Sequence, residues 1–287
     1  MGKTDAMPAT SLDPVLITGC SSGIGAAAAD LLVKAGHTVY ATARRPETLT
    51  ELEAAGARAL ALDVTSEESM TAAVEKIEAE HGRVGTLVNN AGYGEYGTIE
   101  EADLDKVRTM FETNVFGLAR MTQLVLPGMR RAGRGRIVNI GSMGGRMTFP
   151  VGGYYHATKY AVEAISDALR NEVRPFGIDV VLVEPGITQT GFEDNVHASV
   201  AEGAGAQADS PYADLLANNA ANTTGSYSNR LVATGPESVA RTVLKAVDAD
   251  RPRSRYLLTP AARAMVTART LGGDRVWDAI VQRQFKL

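Results

Sequence analysis

Pro14-Val-Leu-Ile-Thr18 running into Thr18-Gly-Cys-Ser-Ser-Gly-Ile-Gly25 is the stretch on which the reading of this chain turns. Its first part is a short apolar run, the mark of a buried strand. Its second part is a glycine-rich turn that opens an alanine-rich segment. That segment, Gly23 to Ala35, reads as a helix stopped by Gly36. Glycines at 19, 23 and 25 permit a tight turn and close approach of a ligand to the backbone. A helix starting at Gly23 aims unpaired N–H groups and the positive end of its dipole over the turn, beside Ser21, Ser22 and Ile24. That arrangement suits a pyrophosphate. With no ligand, the same residues make only a strand-to-helix corner.

Outward from this corner the same rhythm repeats. His37 to Ala41, Arg58 to Leu62, Thr86 to Asn90, Arg136 to Ile140 and Ile178 to Val183 read as further strands. Helical patterns separate them: Pro46 to Ala55, Ser66 to His81, Glu100 to Glu112, Val115 to Arg131 and Tyr154 to Arg174. The strands are apolar without alternation, as in a parallel sheet covered on both faces. The expected fold is α/β, one doubly wound Rossmann-type domain over residues 13–287 with a parallel sheet of about seven strands. Residues 1–12 read as a flexible tail. Residues 188–230 have weak periodicity and read as a lid or cleft wall, with Phe192, Val196, Val200, Tyr212, Leu215, Leu216 and Tyr227 as its apolar groups. Phe149, Val151 and Tyr154 face it from the other side in this reading. A helix follows Thr234-Gly-Pro-Glu-Ser, Tyr256-Leu-Leu reads as a last strand, and residues 261–287 as a helical extension interrupted at Gly272-Gly273.

Composition narrows the function classes. Of the 287 residues, 45% are hydrophobic and 22% charged, ordinary for a soluble globular chain. Twenty-nine basic against 33 acidic residues leave a net charge of −4, which gives no electrostatic reason to expect nucleic acid or an anionic membrane. Cys20 is the only cysteine, so no intrachain disulfide forms. No run approaches the ~20 apolar residues of a membrane span. A cytoplasmic location is the expectation. His37, His81 and His197 are scattered, and no metal site is expected.

Further motifs follow in order. Ala41-Thr-Ala-Arg-Arg45 closes the second strand with no acidic residue before Glu47. An acid there would bond ribose hydroxyls, whereas Arg44 offers a fork of donors to a 2′-phosphate, unless it is simply a solvated surface residue. Asp63-Val64 follows the third strand and Asn89-Asn-Ala-Gly92 closes the fourth. Asn114 sits awkwardly in a helical stretch. Ser142 lies past the fifth strand. Tyr155 and Lys159 are four apart on one helix face. A nearby ammonium favours the phenolate of a tyrosine, whose ordinary pKa is about 10. Pro185-Gly-Ile-Thr-Gln-Thr190 follows the sixth strand.

This ordered set, spanning about two-thirds of the chain, resembles the short-chain dehydrogenase/reductase family. Within it, the turn and the Val-Tyr-Ala-Thr-Ala-Arg-Arg-Pro stretch are similar to the 17β-hydroxysteroid and retinol dehydrogenase-like branch. The resemblance implies an oxidoreductase that interconverts a carbonyl and an alcohol with NADP(H), less readily NAD(H), on a hydrophobic small molecule. It implies Asn114, Ser142, Tyr155 and Lys159 as catalytic residues, with Asn114 holding a water on the path to Lys159. It assigns Gly19, Ser21, Ser22, Gly23, Ile24, Gly25, Arg44, Asp63, Val64, Asn90, Ala91, Gly92, Tyr155, Lys159, Pro185, Gly186, Ile187, Thr188 and Thr190 to the cofactor. It also implies a homodimer or homotetramer built on the two long helices. An NADP(H)-binding regulator without turnover is the competing reading.

Overall fold

The computed structural model describes residues 13–190, 210–228 and 233–285. Seven strands form one parallel sheet: β1 (Val15–Ile17), β2 (Val39–Ala43), β3 (Arg58–Ala61), β4 (Thr86–Asn89), β5 (Gly135–Ile140), β6 (Ile178–Glu184) and β7 (Arg255–Leu257). Their order is β3-β2-β1-β4-β5-β6-β7. Strand order reverses beside β1, and doubly wound sheets open a crevice at that point, past the carboxyl ends of the strands.

The helices are α1 (Gly23–Lys34), α2 (Thr50–Ala54), α3 (Glu67–His81), α4 (Leu104–Phe111), α5 (Leu118–Ala132), α6 (Gly153–Val173), α7 (Ala213–Ser228), α8 (Pro236–Asp248) and α9 (Pro260–Phe285). Successive strand residues point to opposite faces and bury on both. Val15 and Ile17 of β1 join Val39, Val88, Val138 and Val181 under α1 and α8. Leu16 points the other way, with Tyr40, Leu87 and Ile137, against α3, α5 and α6. Burying each Leu or Ile of this kind contributes about 1.5–3 kcal/mol. The alanines of α1 let it lie close to the sheet, where Ala28 and Ala29 are fully buried.

Local rules explain most boundaries. Ser66 caps α3, its hydroxyl accepting from the Ser69 N–H. β2 begins two residues later than the apolar pattern suggests, because Gly36 and His37 are spent on closing α1: their N–H groups donate to Val33 and Leu32 carbonyls. The two helices expected over 100–131 are joined by a π-helical turn, Glu112–Gly117, which holds Asn114. The largest departure is α7. The weakly periodic stretch contains a 16-residue helix whose ordered stripe is polar rather than apolar. Within α9, Gly273 takes φ 65°, a left-handed joint between two helical pieces. The expected tail over 1–12 and the lid residues Phe192, Val196 and Val200 lie outside the described residues.

No helix among the described residues is long and apolar enough to cross a membrane.

Candidate active site

A cavity of about 1170 Å³ opens at the crevice. Gly19, Ser21, Ser22, Gly23 and Ile24 line it from the β1–α1 corner, with Arg44, Asp63 and Val64 past β2 and β3 and Asn90, Ala91 and Gly92 past β4. Backbone contact fixes this corner. Gly19 has φ +73°, and a Cβ there would lie 2.9 Å from the Ala91 Cα. At Gly25 a Cβ would lie 2.3 Å from the Gly19 carbonyl oxygen and 2.5 Å from Asn90 Nδ2. Gly25 thus supports the turn from behind and does not line the cavity. The Asn90 amide donates to the Thr18 and Gly19 carbonyls, both at 2.9 Å, and Thr18 Oγ1 accepts from the Asn90 and Ala91 N–H groups.

The corner fits a phosphate pair. Ser22 is the N-cap of α1, yet its hydroxyl makes no capping bond, and no acid occupies the first turn. The first N–H groups of a helix have no partner within it. Arg44 lines the cavity and Arg45 does not. Asp63 also builds its own turn, with Oδ1 accepting from the Thr65 N–H and hydroxyl.

Ser142, Tyr155 and Lys159 line the same cavity, as do Pro185, Gly186, Ile187, Thr188 and Thr190. The Tyr155 phenol is hydrogen-bonded to Ser142, whose Oγ also accepts from the Gly144 N–H at 3.0 Å. Lys159 Nζ lies 5.9 Å from the Tyr155 ring centre and donates to the Ile140 carbonyl at 3.1 Å. The expected dominance of the ammonium over the phenol is not what this geometry gives. Burial pushes Tyr155 up to about 12, and the Ser142 bond only partly draws it back. Burial also lowers Lys159 to about 8.

Asn114 does not face the cavity. Its Nδ2 donates to the Tyr93 carbonyl and to Thr158 Oγ1, and its Oδ1 accepts from the Tyr93 N–H. The amide therefore ties the π turn to α6 and to the loop following Gly92, and is engaged in doing so.

The loop between Ser142 and α6 is gripped from several sides. His156 Nδ1 sits 3.0 Å from the Gly144 carbonyl, and burial lowers the imidazole to about 4, so the ring is neutral near pH 7. Trp277 of α9 donates to the Thr148 carbonyl at 3.0 Å. Arg146 reaches Glu184 at 3.5 Å. Val151 holds φ 69°, a strained state for a β-branched residue that costs of order 1–3 kcal/mol. The Gly97 N–H donating to its carbonyl and packing against Tyr96 and Leu216 offset that cost.

One turn beyond Lys159, Glu163 meets Glu184 and Arg255, and Arg255 also bonds Asp167 at 2.6 Å. Glu163 and Glu184 are both buried, and Glu163 Oε1 has no hydrogen-bond partner. Burial and the neighbouring Glu184 carboxylate raise the Glu163 pKa despite Arg255. A proton held between the two carboxyls satisfies the orphaned oxygen. This cluster joins α6, the end of β6 and β7 directly behind the site.

The remaining wall was not legible. Tyr227 lines the cavity as expected, but Tyr212, Leu215 and Leu216 pack beneath it. Phe149 lines it, while Val151 and Tyr154 do not. Asn219, Asn222, Thr223 and Ser226 of α7 line it too, at i, i+3, i+4 and i+7. That stripe is the signal in the sequence that a search for apolar periodicity passes over. Met143, Met265, Ile280 and Phe285 add an apolar side. Tyr96, which no sequence motif marks, stacks at 5.5 Å on Tyr155, and His156, which its place beside Tyr155 gave no chemical role, lines the cavity too. Among the described residues no cluster of His, Cys, Asp and Glu is arranged to hold a metal ion.

Comparison with known proteins agrees with this geometry. The model of the short chain dehydrogenase family matches residues 13–201. A 3-ketodihydrosphingosine reductase of Bacteroides thetaiotaomicron is 47% identical over 186 residues, 64% of this chain and 67% of that protein. An NADPH-dependent 3-dehydrocapnine reductase of Ornithobacterium rhinotracheale is 32% identical over 282 residues, 94% of this chain and 96% of that one. The closed form of a serine dehydrogenase complexed with NADP+ superposes with a TM-score of 0.74 at 30% identity, covering 86% of this chain and 95% of that one. With the ordered glycine corner, the Ser142–Tyr155–Lys159 cluster and these matches in hand, the chain belongs to the short-chain dehydrogenase family.

Proposed function

We propose that this protein is an NADP(H)-dependent oxidoreductase that interconverts a carbonyl and an alcohol on a mainly apolar small molecule. The observation that carries the reading is that one cavity holds both the phosphate-suited corner with Arg44 and the Ser142–Tyr155–Lys159 cluster. Relatives named as reductases, one of them NADPH-dependent, and a structural neighbour complexed with NADP+ support it. A nicotinamide dinucleotide bound there supplies or accepts the hydride.

The chain's own residues do the rest. Tyr155 gives its proton to the substrate oxygen in reduction and takes it back in oxidation. A phenol held at a high pKa stays protonated at neutral pH, the state that reduction starts from. Ser142 donates a hydrogen bond to the same oxygen. Lys159, brought by burial to near neutrality, changes charge within the working pH range and returns a proton toward Tyr155. Asn114 acts as a positioning residue through Tyr93 and Thr158. Thr188 and Thr190, past β6, orient the reactive end of the cofactor, and Arg44 selects its 2′-phosphate. The apolar side formed by Phe149, Met265 and Phe285 takes a hydrophobic carbonyl compound, in line with the branch resemblance.

The test is a panel of ketones and aldehydes with NADPH and with NADH, followed by nucleotide absorbance. Tyr155→Phe should lower kcat by about 1,000-fold while NADPH affinity stays within about threefold. Unchanged turnover in that variant would remove the assigned role. NADPH binding with no turnover across the panel would point to a regulator instead.

A further inference from the structure

His156 is the residue next to Tyr155 that the chemistry above leaves unused. Its environment fixes its protonation. A carbonyl only accepts, so the bond to Gly144 O at 3.0 Å places the ring proton on Nδ1. A neutral imidazole protonated there presents Nε2 as an acceptor. Nε2 makes no hydrogen bond among the described residues, yet it is not sealed from the cavity that the ring lines. The ring is held between Phe149, at 6.0 Å, and Tyr155, at 5.7 Å. Gly152 closes over its edge: a Cβ there would lie 2.9 Å from Nε2. The acceptor therefore has one fixed direction and a fixed partner type.

Asn219 is the second unused polar group. It is 6% exposed, lines the same cavity, and its amide makes no hydrogen bond among the described residues. Leu216, one turn earlier on the same face of α7, packs against Val151 at the entrance to the helix that carries His156. Both groups line the cavity that also holds Ser142 and Tyr155, and Asn222, Thr223 and Ser226 beside Asn219 make that wall polar. Neither atom is sealed from the cavity, so a matching ligand group can replace the water each would otherwise meet.

We propose that His156 Nε2 and the Asn219 amide form a specificity subsite that reads a hydroxyl or amine donor on a carbon close to the reacting carbonyl. The substrate class is then an apolar-chain hydroxy- or amino-ketone rather than a plain ketone. This rests on the carbonyl-reductase reading above and narrows it.

Two variants separate recognition from support. His156→Asn keeps a donor where Nδ1 stood, and so the Gly144 bond, but removes the acceptor. His156→Gln keeps an acceptor where Nε2 stood and loses the Gly144 bond. The probes are 2-decanone and 1-hydroxy-2-decanone, compared by kcat/KM with NADPH. Wild type should prefer the hydroxyketone by at least about tenfold, the scale of one buried hydrogen bond. His156→Asn and Asn219→Leu should bring that ratio toward one, and His156→Gln should keep most of it. Equal kcat/KM for both ketones in wild type overturns the subsite while leaving the reductase reading intact. So does a ratio that His156→Asn preserves while kcat falls for both, the pattern of a purely supporting ring. No turnover of either ketone by wild type fails the reductase reading and this inference together.

Discussion

The corner between β1 and α1 and the wall formed by α7 and α9 border one cavity but are built by opposite means. At the corner, backbone excludes side chains: Gly19 and Gly25 each stand where a single carbon would strike main-chain or amide atoms. Along α7, side chains decide everything, and Gly225 of the same helix has open space around it. A site made from the absence of side chains tolerates one residue type per position and leaves a fixed spacing in the sequence. A site made from their presence tolerates many and leaves none.

The largest effect that bears on this contrast is expected at Gly25→Ala. Its Cβ meets the Gly19 carbonyl and the Asn90 amide, so stability should drop by about 2–3 kcal/mol in thermal melts, and NADPH binding should be lost with it. A variant that melts and binds like wild type would erase the contrast. Next is Arg44→Ala, which, if Arg44 takes the proposed role at the 2′-phosphate, should weaken NADPH binding by about 10- to 100-fold and leave NADH unaffected. Equal loss for both nucleotides would make Arg44 a general scaffold instead.

Glu163→Gln is expected to act through pH. The folded chain keeps a proton on Glu163 that the unfolded chain releases above its ordinary value of 4.5. Folded protein thus binds more protons over that range, and this group's stabilisation fades as pH rises from 4.5 to its raised folded value. Glutamine keeps the uncharged state, so the variant's Tm should fall less than that of wild type between pH 6 and 9, by about 2 °C or more. A steeper fall would mean that Arg255 holds a charged Glu163. The smallest effect is Gly225→Ala, which should leave Tm level or raise it, alanine being favoured over glycine by about 1 kcal/mol within a helix. A marked loss would show that α7 has its own backbone constraint after all.

The contrast also explains what could be read in advance. The sheet, its helices and the corner follow from apolar period and glycine spacing, both local properties of the chain. Tyr155 and Lys159 line one cavity because a helical turn fixes their separation, which is again local. The surroundings of Asn114 are not local either: Tyr93 and Thr158, 21 and 44 residues away, engage its amide. The Glu163–Glu184–Arg255 cluster joins residues up to 92 apart and has no local signature. The phenol's high pKa was missed for the same reason, since burial is a property of the whole fold.

Trp277 bonds the loop that also carries Ser142, and His156 and Arg146 hold that loop from two other sides. Substrate range and turnover are therefore mechanically linked. Anyone selecting altered specificity from randomised positions in the last helix will recover variants whose rates drift along with their preferences. The polar face of α7 is joined to that same helix, Asn222 donating to the Gln284 carbonyl at 3.0 Å, so changes there reach the loop one step later.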